Sequence, residues 1–295
     1  MSGFIILSVA LSALALALLI SVALTLSRLR IELPANNPEA ALAGGKIAAK
    51  AERTKPLVLC AGDSLTHGVV SVNWVDMLIR RMPEIDFVNA GVNSELAWNL
   101  YQRLDPIIKL DPDCIIVLIG TNDANATLGM QRALGYMATQ RLPELPTPQF
   151  YRECLTLIVR RLKAETTANI ALVSLPPIGE DRGHYAWLRS EEYSLLAKNV
   201  AKDEAVTYLP LRERLSAYLE GAPKQKAIAL EDFLRAGSRA HIDHTLFGKS
   251  WDHISAANGF HLLIDGIHLN SHGATIMADL AERFVRESTR VREST

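Results

Sequence analysis

The chain has 295 residues, of which 49% are apolar, and its 31 basic side chains are balanced by 32 acidic ones. This even balance gives no electrostatic reason to expect nucleic acid as a partner. The length and composition are typical of one globular domain with a full-sized packed core and short additional segments.

The first predicted element is an uncharged, apolar stretch at residues 4–26. A helix needs about 20 apolar residues to cross a bilayer, whereas the apolar core of a cleaved signal peptide is usually about 7–15 residues long. The stretch therefore predicts one transmembrane helix within an N-terminal anchor at residues 1–30. Arg28 and Arg30 favour a cytoplasmic position for the rest of the chain. Because large domains can be exported against this bias, the membrane side stays open.

Residues 31–54 are predicted to form a linker between the anchor and the globular part. Pro34 and Pro38 disfavour a regular element at its start, and a weak surface helix within residues 39–53 is the alternative. The globular domain then spans residues 55–290.

Within this domain, short apolar runs alternate with segments of helical periodicity. Five runs are predicted to be buried strands, at residues 57–61, 87–88, 114–119, 170–174 and 206–209. Helices are predicted at residues 73–82, 94–108 (capped by Ser94), 150–164, 191–202 and 270–286. The alternation predicts a three-layer α/β/α domain with a mostly parallel, five-stranded sheet. The binding crevice of such a sheet lies at the carboxyl ends of its strands.

The first polar segment that follows a predicted strand is Gly62-Asp63-Ser64-Leu65, which places a serine at this crevice. The spacing around Ser64 is not that of the G-x-S-x-G nucleophile elbow, so an assignment to the α/β-hydrolases is unsupported. On its own, the segment favours an ordinary turn with a helix cap.

Further segments supply the partners that a nucleophilic serine needs. Asp265 and His268 are three residues apart, so the carboxylate can hold one imidazole nitrogen and leave the other to take the serine proton. After the second predicted strand, Gly91 can offer an unobstructed backbone N–H, and after the third, Asn122 can offer a side-chain amide. Both are suitable donors to a developing oxyanion.

Taken in order, these segments resemble the four sequence blocks of the SGNH/GDSL hydrolase family, over residues 57–285. The blocks are Gly62-Asp63-Ser64-Leu65, Gly91 with its neighbours, Gly120-Thr121-Asn122-Asp123, and Asp265-Gly266-Ile267-His268. The resemblance implies that Ser64 is the nucleophile, that His268 is the general base and that Asp265 orients His268. It also implies an oxyanion hole made by the Ser64 N–H, the Gly91 N–H and the Asn122 side chain. The reaction implied is acyl transfer to water through an acyl-enzyme, with neither cofactor nor metal.

Several other polar residues invite different interpretations. Most of the histidines lie near the C-terminus, but no HExxH motif is present, and the nearest pair, His241 and His244, completes no recognised metal site. Asp63 and Asp123 are expected to fix loops by hydrogen bonds, and His67 is expected to form a wall of the pocket.

Two long segments, residues 124–148 and 237–259, lack strong periodicity and adjoin catalytic blocks. Long loops in compact domains are usually functional or disordered. Two interpretations stay open for them: they shape the pocket for the acyl or leaving group, or they pack over the edge of the sheet.

The sequence thus predicts a membrane-tethered serine hydrolase that cleaves an acyl or acetyl ester of a small molecule, a lipid or a glycan. Lipid or lysolipid esters and O-acylated cell-surface glycans are the two classes that a membrane location favours. The alternatives are an acyltransferase or a lysophospholipase-type lipase on the same fold, and a non-catalytic binding module. A binding module would be indicated by loss of Ser64, His268 or an oxyanion donor, and none is lost.

Overall fold

The computed structural model describes residues 16, 32–43, 49–223 and 227–293. The predicted transmembrane helix at residues 4–26 lies outside the described residues, apart from residue 16. Of the helices that are described, none is both long and apolar enough to cross a bilayer. The chain divides into two compact units, Met1–Glu32 and Leu33–Thr295. The second unit contains the sheet and the candidate site.

Five strands form one sheet in the order β2-β1-β3-β4-β5, and each neighbouring pair is parallel. They are β1 (Leu57–Gly62), β2 (Asp86–Gly91), β3 (Cys114–Leu118), β4 (Asn169–Val173) and β5 (Thr207–Leu209). The central strands are buried along their whole length, which explains why they are continuous apolar runs in the sequence rather than alternating ones.

Helices cover both faces of this sheet, which confirms the predicted three-layer α/β/α architecture. They are α1 (Pro38–Ala43), α2 (Ser64–His67), α3 (Trp74–Arg81), α4 (Ala97–Gln102), α5 (Leu104–Lys109), α6 (Thr121–Ala126), α7 (Met130–Gln140), α8 (Pro148–Glu165), α9 (Tyr185–Asp203), α10 (Leu211–Gly221), α11 (Phe233–Thr245), α12 (Trp251–Ala257) and α13 (Ser271–Glu293). Helices α3, α10 and α13 make up one layer, and α4, α5, α8 and α9 make up the other. Short 3-10 helices lie at Lys50–Glu52 and Leu230–Asp232.

The register of the sheet brings three strand ends to the same level. Gly62, the last residue of β1, pairs with Gly91 on β2 and with Leu118 on β3. The segments that follow these strands therefore meet at one edge of the sheet. The strand order also reverses between β1 and β3, and such switch points are where open α/β sheets bind ligands.

The described residues of the predicted linker are packed against the domain. Helix α1 contacts β2 and α5. The Asn36 side chain donates to Phe87 O at 3.1 Å, and the Asn89 N–H donates to Asn36 O at 3.1 Å. These contacts cover the free edge of β2, whose backbone groups would otherwise lack partners in the sheet. The compact unit therefore begins at Leu33 rather than at residue 55.

Other differences from the sequence prediction concern helices. The predicted helix at residues 94–108 begins only at Ala97 and is interrupted at Arg103, so Ser94 does not cap it. The segments interpreted as loops contain α7, most of α11, and α12. In α7 the one buried residue is Ala133, so no apolar stripe marks this helix in the sequence.

Candidate active site

Ser64, His268 and Asp265 form one continuous chain of hydrogen bonds. Ser64 is the first residue of α2, and its Oγ lies 2.9 Å from His268 Nε2. His268 Nδ1 lies 2.7 Å from Asp265 Oδ2. Because an ionised carboxylate can only accept hydrogen bonds, Nδ1 carries the hydrogen and Nε2 can accept from the serine hydroxyl. The structure thus brings together the three side chains that the sequence singled out.

Asp265 and His268 shift each other's pKa in opposite directions. Burial alone would raise the pKa of Asp265, but the charge and hydrogen bonds of His268, with a further N–H from Ile267, outweigh it and lower the pKa. Burial would likewise lower the pKa of His268, but the charge and hydrogen bond of Asp265 outweigh it and raise the pKa. The pair therefore favours the imidazolium that forms when His268 takes a proton.

The loop that carries the acid and the base is held from several sides. The Glu180 carboxylate accepts three successive backbone N–H groups, those of residues 261–263, at 2.8 to 3.0 Å. Gly266 has a φ of 95°, and a Cβ at this position would lie 2.3 Å from the Phe233 ring. Glycine is therefore required there. The Gly179 N–H also donates to Gly266 O at 2.7 Å.

Helix α11 packs directly against the acid, a contact that the sequence did not predict. A Cβ at Gly237 would lie 2.7 Å from Asp265 Oδ2, so only glycine allows the helix to come this close. One signal was available: a glycine in a helix interior is unfavourable and calls for a packing reason. Part of the segment at residues 237–259 therefore packs against Asp265.

Asn122 lies in the first turn of α6, just after β3, and is 7% exposed. Its Nδ2 donates to Glu95 O at 2.9 Å and lies 3.4 Å from Asp63 Oδ2. Its Oδ1 accepts from the Tyr136 hydroxyl at 2.8 Å. These contacts place the amide nitrogen beside Asp63, the residue that precedes Ser64.

Gly91 has contacts that differ from its predicted role. It is the last residue of β2, and its N–H donates to Asn89 Oδ1 at 2.9 Å. A Cβ at Gly91 would lie 2.1 Å from the His67 backbone nitrogen. Close packing of β2 against α2 therefore explains this glycine. Since the N–H already has an acceptor, the structure argues against Gly91 as an oxyanion donor.

The turn after β2 presents a different backbone donor, Ser94. The turn is closed by the Glu95 N–H, which donates to Val92 O at 3.4 Å, and Ser94 has a φ of 65°. Glycine or asparagine usually takes this conformation, so the serine gave no signal in the sequence. Among the described residues, no acceptor contacts the Ser94 N–H. The next residue, Glu95, contacts Asn122.

Asp63 and Asp123, the neighbours of Ser64 and Asn122 in the sequence, are both buried. Asp63 accepts from the Leu65 N–H at 3.0 Å and caps α2, and Asp123 accepts from the Ala97 N–H at 3.1 Å. Burial raises the pKa of each carboxyl group to about 7. Both residues hold backbone in place, as expected from the sequence.

Two of the other C-terminal histidines, His244 and His272, pack against aromatic rings. The His244 ring stacks on Trp251 with centroids 3.9 Å apart, and His272 lies 4.3 Å from the Tyr218 ring. Within the described ranges, no group of three or more His, Cys, Asp or Glu side chains is placed to hold a metal ion. His67 is buried at the end of α2, beside Gly91.

Several solved structures share this fold. An acetylxylan esterase from Geobacillus stearothermophilus aligns with a TM-score of 0.55 at 18% identity, covering 82% of this chain and 96% of that one. An α/β hydrolase enzyme from the metagenome of Lake Arreo, Spain, aligns with a TM-score of 0.55 at 19% identity, covering 80% and 95%. The acetyl xylan esterase AlAXEase aligns with a TM-score of 0.55 at 16% identity, covering 78% and 99%. At such identities the similarity shows the fold alone.

The sequence itself gives the family. None of the curated proteins matches it significantly. The profile of the GDSL-like Lipase/Acylhydrolase family matches residues 60–276, a range that includes Ser64, Asn122, Asp265 and His268. Because this match covers most of the chain, the protein belongs to the GDSL-like lipase/acylhydrolase family and is, at that general level, a carboxylic ester hydrolase.

Proposed function

We propose that this protein cleaves carboxylic esters through an acyl-enzyme on Ser64. The observation that carries the proposal is the chain of hydrogen bonds from Ser64 Oγ through His268 to Asp265. A separation of 2.9 Å between the hydroxyl and the base is within reach for proton transfer. An oriented, basic imidazole is what a serine hydroxyl requires to act as a nucleophile.

The reaction that we propose has two half-reactions. Ser64 Oγ attacks the ester carbonyl carbon while His268 Nε2 takes the hydroxyl proton, and Asp265 stabilises the resulting imidazolium. The bond to the leaving alkoxide then breaks, and His268 returns the proton to it. Water attacks the acyl-enzyme with His268 again as base, which releases the carboxylic acid and restores Ser64.

Three N–H donors are proposed to stabilise the oxyanion of the tetrahedral intermediate: the Ser64 backbone, the Ser94 backbone and Asn122 Nδ2. The Ser64 N–H belongs to the first turn of α2, where helical N–H groups lack an intrahelical acceptor. The Ser94 N–H replaces that of Gly91, which already donates to Asn89. Asn122 Nδ2 carries two hydrogens, one of which is used on Glu95 O at 2.9 Å, in the turn that carries Ser94. The second makes only a long contact of 3.4 Å with Asp63 Oδ2, and it is the one proposed to turn to the oxyanion.

The substrate that we propose is a short acyl ester, with acetyl groups on a glycan as the first class to test. Two of the structures that share the fold belong to acetylxylan esterases. Ser64 is only 8% exposed, which favours a small acyl group. Hydrolysis of p-nitrophenyl esters from acetyl to long-chain tests this choice. A preference for long chains would instead support lipid or lysolipid esters.

We further propose that residues 4–26 tether the enzyme to a membrane. The support comes from the sequence, since this stretch is uncharged and longer than the roughly 20 residues that span a bilayer. Full-length protein should stay in the membrane fraction after washing with high salt and should be released by detergent. Recovery in the wash would contradict the tether.

Labelling with a fluorophosphonate probe tests the nucleophile directly. Wild-type protein should be labelled, and Ser64→Ala should lose both the label and the hydrolysis of p-nitrophenyl acetate. Ser194 is a buried serine on α9 whose hydroxyl donates to backbone carbonyls. Ser194→Ala is therefore a matched control that should be labelled normally. Absence of labelling in folded wild-type protein would contradict the proposal.

A further inference from the structure

A chain of four hydrogen-bonded side chains leads from helix α7 to the amide of Asn122. Arg132 Nη1 donates to Asn125 Oδ1 at 2.7 Å, and Asn125 Nδ2 donates to the Tyr136 hydroxyl oxygen at 3.0 Å. The Tyr136 hydroxyl then donates to Asn122 Oδ1 at 2.8 Å. None of these contacts is needed to form the sheet, and the proposed reaction steps do not use Arg132, Asn125 or Tyr136.

The guanidinium of Arg132 determines which group donates and which accepts in each of these hydrogen bonds. A guanidinium has donors only, so Asn125 must present its oxygen to Arg132 and its amide nitrogen to Tyr136. The Tyr136 oxygen accepts that hydrogen bond, which leaves its single hydrogen for Asn122. Asn122 must therefore present Oδ1 to Tyr136 and turn Nδ2 the opposite way.

On the opposite side lie Asp63, the residue before Ser64, and Glu95, the residue after Ser94. Asn122 Nδ2 faces Glu95 O at 2.9 Å and Asp63 Oδ2 at 3.4 Å. If the amide were rotated by half a turn, Oδ1 would face these two acceptors, and Asn122 would offer no donor on the side of Asp63, the residue before Ser64. Burial raises the pKa of Tyr136 to about 12, so its hydroxyl keeps the hydrogen that it donates.

We propose that Tyr136 is a positioning residue that holds the Asn122 amide with Nδ2 toward the oxyanion, and that Arg132 sets the direction of the hydrogen bonds through Asn125. This proposal rests on the proposed function, because it assigns Asn122 as an oxyanion donor. Hydrogen bonds in such a chain also polarise one another, which strengthens the terminal donor.

Helix α7, which lies within residues 124–148, therefore helps to orient the Asn122 amide. Arg132 Nη2 also donates to Leu230 O at 3.3 Å, in the short 3-10 helix that precedes α11. Helix α11 in turn packs against Asp265 through Gly237. Arg132 thus contacts both Asn125, which leads to Asn122, and the segment just before α11, the helix that packs against Asp265.

The test is a double-mutant cycle between Tyr136→Phe and Asn122→Ala, with kcat and KM measured for p-nitrophenyl acetate. Tyr136→Phe removes one hydroxyl and should lower kcat about 2- to 10-fold, the range for loss of one net hydrogen bond, with KM unchanged. In the Asn122→Ala background the same substitution should have no further effect on kcat. Such coupling is expected only for residues that act through one another.

A matched control separates positioning from general stability. Tyr193 is a fully buried tyrosine on α9 whose ring lies against Tyr151. Tyr193→Phe should leave kcat unchanged in both backgrounds. Arg132→Met should reproduce part of the loss caused by Tyr136→Phe, and Arg132→Lys should restore it, because an ammonium group also has donors only.

The outcomes distinguish this inference from the proposed function. If Tyr136→Phe leaves kcat unchanged, or lowers it equally with and without Asn122, the positioning role is overturned while the esterase proposal stands. If wild-type protein neither reacts with the fluorophosphonate probe nor hydrolyses the ester, the proposed function itself fails. A loss in Tyr136→Phe that disappears in Asn122→Ala supports both.

Discussion

The two halves of the candidate active site are held in different ways. In the acid–base half, Ser64, His268 and Asp265 contact one another directly through side-chain atoms, at 2.9 and 2.7 Å. In the oxyanion half, the proposed donors are two backbone N–H groups and the amide of Asn122, which is held by Glu95 and Tyr136. In the proposed mechanism, acid–base chemistry thus depends on which side chains are present, whereas oxyanion stabilisation depends on the direction in which N–H groups point.

The acid–base half should be the more sensitive of the two, and Asp265→Asn tests the contribution of its carboxylate. The backbone N–H groups of Ile267 and His268 donate to Asp265 Oδ1, so an amide oxygen would take that position. The amide nitrogen would then face His268 Nδ1 and favour the wrong tautomer. We expect kcat to fall by about 10⁴-fold with folding intact, measured by ester hydrolysis and thermal unfolding. A loss below tenfold would show that the carboxylate is dispensable.

The pH dependence of activity in wild-type protein and in Asp265→Asn provides the control. His268 can take up its proposed role as a base only when it is neutral, and Asp265 raises its pKa. The kcat/KM of wild-type protein should therefore decline as the pH falls through this raised pKa. In Asp265→Asn the attraction is removed, while burial still lowers the pKa. The acid limb of the residual activity should move to lower pH, and an unmoved limb would assign it to another group.

Asn122→Ala tests the oxyanion half and should have the next largest effect. It removes a donor that is proposed to act mainly on the transition state, so kcat should fall by about 10²- to 10³-fold with little change in KM. The substitution also leaves the Tyr136 hydroxyl without its acceptor. A thermal unfolding curve is therefore needed beside the kinetics. A near-normal rate in folded protein would remove Asn122 from the oxyanion hole.

Much of the fold follows from local sequence patterns. The strands are continuous apolar runs because parallel strands are covered on both faces. The first two end at a glycine, and Gly120 follows two residues after the end of β3. Helices without a strong apolar stripe were missed, such as α7, where Ala133 is the one buried residue. The contact of residues 33–43 with the edge of β2 also depends on tertiary packing.

The side chains of the acid–base half could be predicted because their residue types are visible in the sequence. Ser64, Asp265 and His268 are the residue types that the chemistry requires, and their identities are written in the sequence. Gly91 was predicted to be a donor because a glycine offers an accessible N–H. In the structure this glycine brings β2 close to His67, and its N–H donates to Asn89. Gly237 was missed because its contact with Asp265 joins parts of the chain that are distant in sequence.

The smallest expected effect is that of Ser94→Gly, and it sharpens the contrast between the two halves. Ser64 is proposed to act through its side chain, whereas Ser94 is proposed to act only through its N–H, which glycine keeps. Glycine adopts the φ of 65° without strain, a conformation that costs other residues roughly 1 kcal/mol, but it loses about as much through the greater freedom of the unfolded chain. The free energy of unfolding should therefore change by less than about 0.5 kcal/mol, and kcat/KM by less than about threefold. A tenfold loss of kcat/KM in Ser94→Gly would mean that the hydroxyl itself contacts the substrate. Retained activity would explain why no residue type in the sequence marks this donor, because the turn rather than the side chain supplies it.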